Sequence, residues 1–307
     1  MKRVAGVVGV IGALLVAQAA QAAHMPYIKP TTFGPKRDFV TLESGMAADH
    51  FFAMDFPIRG EGDYWVTGPT GAPVKATSAT NHKEFSVVEA ALPGPGTYRI
   101  TTGERAGRTA KWAKVDGEWK MVRPAGGPGG PPRAEAPRPD APRPAAPGGA
   151  APPAGGGGGG GGRGIEESAV PPGAETMNAV SYLRAETYVT RGAPDRAALK
   201  PTGQGFEAEL VTHPNEIFAG EAFKLRFLND GKPVGDVTYA VYRGGDFYEE
   251  KRYTNSSRTG ADGAAAVTIE EAGVYVLVAT WPGRVEGQPM VPAPQTTTYS
   301  LTFEVSR

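Results

Sequence analysis

One histidine, His24, follows directly on a stretch with the layout of a secretory signal, and that position gives it chemistry the other three histidines lack. Lys2 and Arg3 precede an apolar run from Val4 to Val16, and Ala20-Gln21-Ala22 supplies the small residues of a cleavage site. Cleavage there would start the mature chain at Ala23-His24; cleavage one residue later would start it at His24. Either product puts a free α-amino nitrogen, with a pKa of about 8, within chelating reach of imidazole, the commonest metal ligand among side chains. The plainer alternative is a histidine that simply happens to follow a signal peptide.

The chain has no cysteine, so a site for nickel, cobalt or copper must draw on His24, His50, His82, His213, carboxylates, methionines, backbone or the amino terminus. His50 is the next candidate. In a strand over 46–54, Met46, Ala48, His50, Phe52 and Met54 share one face and Asp49 takes the other; in a helix, Met46, His50 and Met54 still align. Thioether with imidazole suits copper, imidazole with Asp49 suits nickel or cobalt, and a methionine-rich core with one satisfied histidine explains the same residues without a metal. His213, before Pro214 at the end of a strand, is a third candidate ligand, with a structural turn role as its alternative. His82 reads as a solvated loop residue. The aromatics Tyr242, Phe247, Tyr248 and Tyr253, interleaved with charges, suit either a binding loop or two strands with polar outer faces.

The elements that must hold these residues are strands. Phe39 to Glu43, Tyr64 to Thr67, Glu84 to Leu92 and Tyr98 to Thr102 are rich in β-branched and aromatic residues and are separated by Gly/Pro clusters. Asp116-Gly117 marks a tight hairpin between Trp112–Val115 and Glu118–Met121. Further on, Tyr182 to Val189 alternates with Leu183, Ala185, Thr187 and Val189 on one face, and Pro194 to Leu199 allows a helical turn. Strands follow at Phe206 to Val211, Ala222 to Leu228, Val237 to Tyr242, Ala264 to Ile269, Val274 to Thr280 and Thr298 to Val305, with Asp230-Gly231 and Asp262-Gly263 as turns.

Between these two β-rich halves the composition changes. Pro137-Arg138-Pro139 and Pro142-Arg143-Pro144 lead into a glycine run from Gly155 to Gly162, which reads as a disordered Pro/Gly-rich linker over 124–164. The expected organisation is a signal over 1–23 and two immunoglobulin-like or transthyretin-like β-sandwich domains, at 24–123 and 165–307.

Charge and motifs narrow the function. Basic and acidic residues balance at 32 each, which removes a global pull toward nucleic acid or anionic lipid. The lack of cysteine removes disulfides, thiolate chemistry and a lipidated start. After Val16 no stretch approaches a membrane span, so the mature chain is expected to be soluble. No HExxH, G-x-S-x-G, P-loop or dinucleotide motif is present, and an enzyme is not expected.

Several segments resemble the DUF4198 family, also described as nickel-uptake (NikM-like) proteins. They include Asp230-Gly231-Lys232-Pro233-Val234-Gly235-Asp236-Val237, Thr259 to Gly263, Glu271 to Tyr275, Phe39 to Glu43 through Asp49 to Phe52, Thr97 to Ile100, Arg184 to Thr190, and Ala198 to Gly203 with Thr212 to Asn215. Family members begin with a histidine, an aromatic and a proline just past the signal; His24, Tyr27 and Pro30 match, and the Gly/Pro insertion departs from the pattern. The resemblance implies an exported, periplasmic accessory of transition-metal uptake, with an outer-membrane or inner-membrane metal transporter as partner. A metal-independent docking module for an outer-membrane receptor is the competing expectation.

Overall fold

The structure, a computed structural model, describes residues 24–47, 51–52, 56–58, 62–123, 164–246, 248, 254–283 and 291–307. The signal at 1–23 and, but for Gly164, the segment expected as a linker lie outside these residues.

The regular structure of the described residues is strand, apart from three short 3-10 turns. In the first half run β1 (Met25–Pro30), β2 (Phe39–Ala47), β3 (Trp65–Thr67), β4 (Pro73–Lys75), β5 (Ser78–Asn81), β6 (Ser86–Ala91), β7 (Gly96–Thr101), β8 (Arg105–Val115) and β9 (Glu118–Arg123). After the insertion come β10 (Ile165–Glu166), β11 (Thr176–Arg191), β12 (Phe206–Leu210), β13 (Ala222–Asn229), β14 (Lys232–Pro233) and β15 (Thr238–Arg243). The last four are β16 (Thr254–Arg258), β17 (Ala264–Thr268), β18 (Gly273–Trp281) and β19 (Gln295–Val305).

Turn chemistry sets these pairings locally. Asp116 and Gly117 both take positive φ, 57° and 81°, the geometry a two-residue primed turn needs, and β8 pairs with β9 across them. Asp230 and Gly231, at 49° and 72°, do the same between β13 and β14. The helical turn expected before Leu199 is a single 3-10 turn, Ala197–Leu199. β1 was not anticipated from the sequence, because Pro26 and Pro30 argue against a strand. It is an edge strand, in the order β1-β2-β6-β5, where a missing N–H is tolerated.

β11 organises the whole molecule. Along one edge its first part pairs antiparallel with β8 and its last part with β7, while the other edge pairs parallel with β19. The central sheet therefore runs through strands from both halves of the sequence. The insertion leaves and re-enters at one place, since Ile165 and Glu166 pair with Val122 and Arg123.

A smaller sheet covers each face of the central one, and residue parity decides which side chains meet which cover. Ala185 and Val189 of β11 join Ile28, Leu42, Val88 and Ile100 in one core, and Val276 and Val278 of β18 meet Met25, Tyr27 and Phe51. On the opposite face Tyr188, Tyr275, Leu277, Tyr299 and Leu301 pack on Phe206, Phe223, Leu225 and Phe227 of β12 and β13. Each large apolar side chain so buried contributes roughly 1.5–3 kcal/mol. Burial on both faces leaves no polar outer face along the middle of β11, where every residue from Arg184 to Thr190 is buried.

Candidate functional site

The residues expected to hold a metal do not come together as one described cluster. His24 is exposed at the start of β1, its ring 4.8 Å from that of Phe56. The strand behind it is firmly held: Tyr27 donates to Glu43 Oε1 at 2.6 Å, and the Ser44 hydroxyl donates to the Tyr27 carbonyl. Burial, and then the Glu43 carboxylate, push the Tyr27 phenol far above the ordinary tyrosine range. Met25 pairs with Ala47, so the His24 end of β1 adjoins the end of β2 from which the chain continues to Asp49 and His50.

Asp49 and His50 themselves lie outside the described residues. β2 stops at Ala47, and Phe51 and Phe52 form a turn with Phe52 at φ 68°.

His213 is buried, and both its ring nitrogens are engaged. Nδ1 accepts from Asn215 N–H at 3.2 Å, which caps the 3-10 turn Pro214–Glu216. With Nδ1 accepting, Nε2 carries the proton and donates to the Asp195 carbonyl at 2.9 Å, near Thr97 Oγ1 at 3.3 Å. These contacts are those of the turn role. His82 is exposed beside Phe85. Of the aromatic loop, Tyr242 packs against Phe51, Tyr248 is 98% exposed, and Phe247 and Tyr253 lie outside the described residues. Among the described residues no three His, Asp or Glu side chains converge as a metal cage.

A different constellation was missed. β7 and β8 would be one continuous strand beside β11 but for Thr102-Gly103-Glu104, where Gly103 takes φ 61°. A cleft of about 820 Å³ opens at this break, floored by β3, β7 and β11 and walled by residues 197–205. Three buried arginines line it: Arg99, Arg105 and Arg184, exposed by 6%, 5% and 4%.

Each arginine is held differently. Arg184 donates through Nε to Glu186 Oε1 at 3.0 Å and through Nη1 to the Gln204 carbonyl at 2.9 Å, and lies 3.8 Å from Glu207. Glu207 in turn accepts from the N–H groups of Thr202 and Gly203 at 2.9 and 2.7 Å. Arg99 donates to the Lys200 carbonyl at 3.2 Å and bonds Tyr188, and its buried Nε–H has no partner. Among the described residues Arg105 donates only to carbonyls, of Thr102, Gly62 and Asp63, and lies over the Tyr64 ring. Burial works against charge on Arg99 and Arg184, but Glu186 and Glu207 outweigh it and hold both guanidinium pKa values above the ordinary one.

Sequence reasoning passes over these residues because Arg184-x-Glu186-x-Tyr188 alternates like an outward polar face. The available hint was that Arg184 to Thr190 is among the stretches carrying the family resemblance.

Fold and sites together define an all-β protein of three stacked sheets, with an exposed histidine at the head of β1 and a basic cleft in the central sheet. The profile described as "Domain of unknown function (DUF4198)" matches residues 21–283, most of the chain, and the chain belongs to that family. No curated protein matches it. Among solved structures it is similar to the D0-D1 domain of intimin, at 10% identity over 91% of this chain and 97% of that one, with a TM-score of 0.21. No helix among the described residues is long and apolar enough to cross a membrane.

Proposed function

We propose that the protein is an exported, non-catalytic component of the bacterial envelope that binds a transition metal, nickel, cobalt or copper, as an accessory of a metal transporter. Each smaller sheet, packed on the central one, is read as completing an immunoglobulin-like or transthyretin-like sandwich, and the two sandwiches serve as the scaffold. The observation that carries this reading is His24: it is exposed immediately before a strand, β1, that is pinned by Tyr27, Glu43 and Ser44. Removal of the signal at Ala22 or Ala23 would place an amine beside that imidazole. Amine and imidazole suit all three metals, and copper binds such donors most tightly.

The test is calorimetric titration of correctly processed, tag-free protein with each metal. It is run beside His24→Ala and beside a version carrying one extra residue before the mature start. Binding that weakens at least 100-fold in both variants is expected. Affinity no greater than that of an unstructured peptide with the same first residues would sink the metal reading and leave a metal-independent docking module.

A further inference from the structure

The basic cleft has a charge pattern that the fold does not explain. A guanidinium is charged at any working pH, and a buried charge is normally matched by a partner. Glu186 and Glu207 are the buried carboxylates of the cluster, and Arg184 lies against both. They also act on Arg99. Three buried arginines thus face two buried carboxylates, and the excess falls on Arg105, which has no ion pair among the described residues.

At the mouth the charges balance more nearly. Asp63 is paired with Lys75 at 2.6 Å, and the exposed Lys200 and Glu104 both belong to the lining. Among the described residues the net result is one positive charge inside the cleft, with unspent donors on Arg105 and the unpartnered Nε–H of Arg99.

Alongside Thr67, Thr101, Thr102, Thr202 and Gln204, part of the lining is apolar. Trp65 is half-buried, and Pro73, Ala197 and Pro201 add apolar surface. A cleft of about 820 Å³ is in the range of small-molecule sites, which combine apolar walls with a few placed polar groups. An arginine fork matches a carboxylate in two parallel hydrogen bonds, and a flat apolar body suits the indole face.

We infer that this cleft binds a small organic acid with one carboxylate, directed at Arg105 and Arg99, and a flat apolar body lying against Trp65. The site is independent of His24 and of any metal. One excess buried charge calls for a monoanion. A highly charged phosphate would meet Glu104 and Asp63 at the mouth without gaining a second buried partner.

The probe is 1-naphthoate, titrated calorimetrically into the full mature protein beside the neutral 1-naphthamide, inorganic phosphate and citrate. Saturable one-site binding of naphthoate is expected, at least tenfold tighter than the amide, phosphate or citrate. Arg105→Gln should weaken it at least tenfold. Because Arg105 also holds the Gly62 and Asp63 carbonyls, Lys200→Glu serves as a second variant at an exposed position, with at least fivefold weakening expected and an unchanged melting temperature. His24→Ala should bind naphthoate as the parent does. Equal affinity for acid and amide, or indifference to both charge variants, would overturn the proposal. Phosphate binding as tightly as naphthoate would overturn the assignment to an organic acid.

Discussion

Arg184 lies between two buried carboxylates that, among the described residues, have no other guanidinium within ion-pair distance. Its removal would leave Glu186 and Glu207 charged, desolvated and less well hydrogen-bonded. Breaking a buried pair from one side costs about 3–5 kcal/mol, and Arg184→Ala should lower unfolding stability in urea by that amount; a loss under about 1 kcal/mol would show that the cluster is not the structural pin it looks. Tyrosines give a pH signature at the same scale. Burial first, and then Glu43 for Tyr27 and Glu186 for Tyr188 and Tyr299, raise all three phenols above the ordinary tyrosine range. In the unfolded chain they ionise at about pH 10, so above that pH the unfolded state holds fewer protons and stability falls as pH rises. Below it, their contribution is fully present. Each contributes a slope of up to roughly 1.4 kcal/mol per pH unit, and Tyr27→Phe should make the decline between pH 10 and 11 shallower than in the parent. Identical slopes in the two proteins would refute the assignment.

Two glycine turns show how much the surroundings of an element add to its local geometry. Gly117 and Gly263 have similar positive φ, 81° and 70°. A Cβ on Gly117 meets nothing within 4 Å, whereas one on Gly263 would lie 2.5 Å from Val234 O and 2.7 Å from Phe227 O. Gly117→Ala should cost only the left-handed backbone penalty, roughly 1 kcal/mol. Gly263→Ala should cost more than about 2 kcal/mol, because backbone oxygens cannot step aside. Equal losses in denaturant melts would contradict the packing argument. These turns were the most legible part of the sequence, since an Asp-Gly pair marks a turn by itself, although Asp116 takes positive φ with its glycine and Asp262 does not. β7, β13, β18 and β19 were legible for a related reason: their β-branched and aromatic residues are local signals. What could not be read was pairing. Nothing in Thr176 to Arg191 announces that one edge serves β7 and β8 while the other serves β19, because such contacts depend on residues some hundred positions apart. The cleft was hidden with them. Arginines on strands look like a solvated face until a second sheet is known to cover it, whereas His24 was visible because its position rests on the signal grammar alone.

At the scale of the whole molecule, the composition break at 124–164 suggests two beads on a string, and the strands on either side of it are hydrogen-bonded into one sheet. Without β11, both β7 and β8 lose the partner along their inner edge, and the core holding Ile28, Leu42 and Ile100 loses Ala185 and Val189. Without the first half, Val276 and Val278 lose Met25, Tyr27 and Phe51, and the middle of β11 is bared on one face. Neither part is expected to form a satisfied sheet alone, since an uncovered edge and face leave both backbone donors and apolar area in water. Two chains, 24–123 and 164–307, should therefore assemble when produced together, eluting as a single one-to-one complex on size exclusion. Each alone should be aggregated or largely unfolded by circular dichroism. The intact protein should melt in one calorimetric transition whose van't Hoff and calorimetric enthalpies agree, as a single cooperative unit requires. Two resolved transitions, together with well-folded separate halves that do not associate, would mean that the shared strand contributes little and that the halves are domains in the ordinary sense. A single transition would instead make β11 the element through which the two ends of the molecule are coupled. A ligand that stabilises the basic cleft, which borders on β11, should then raise the melting temperature of the whole chain rather than of one half.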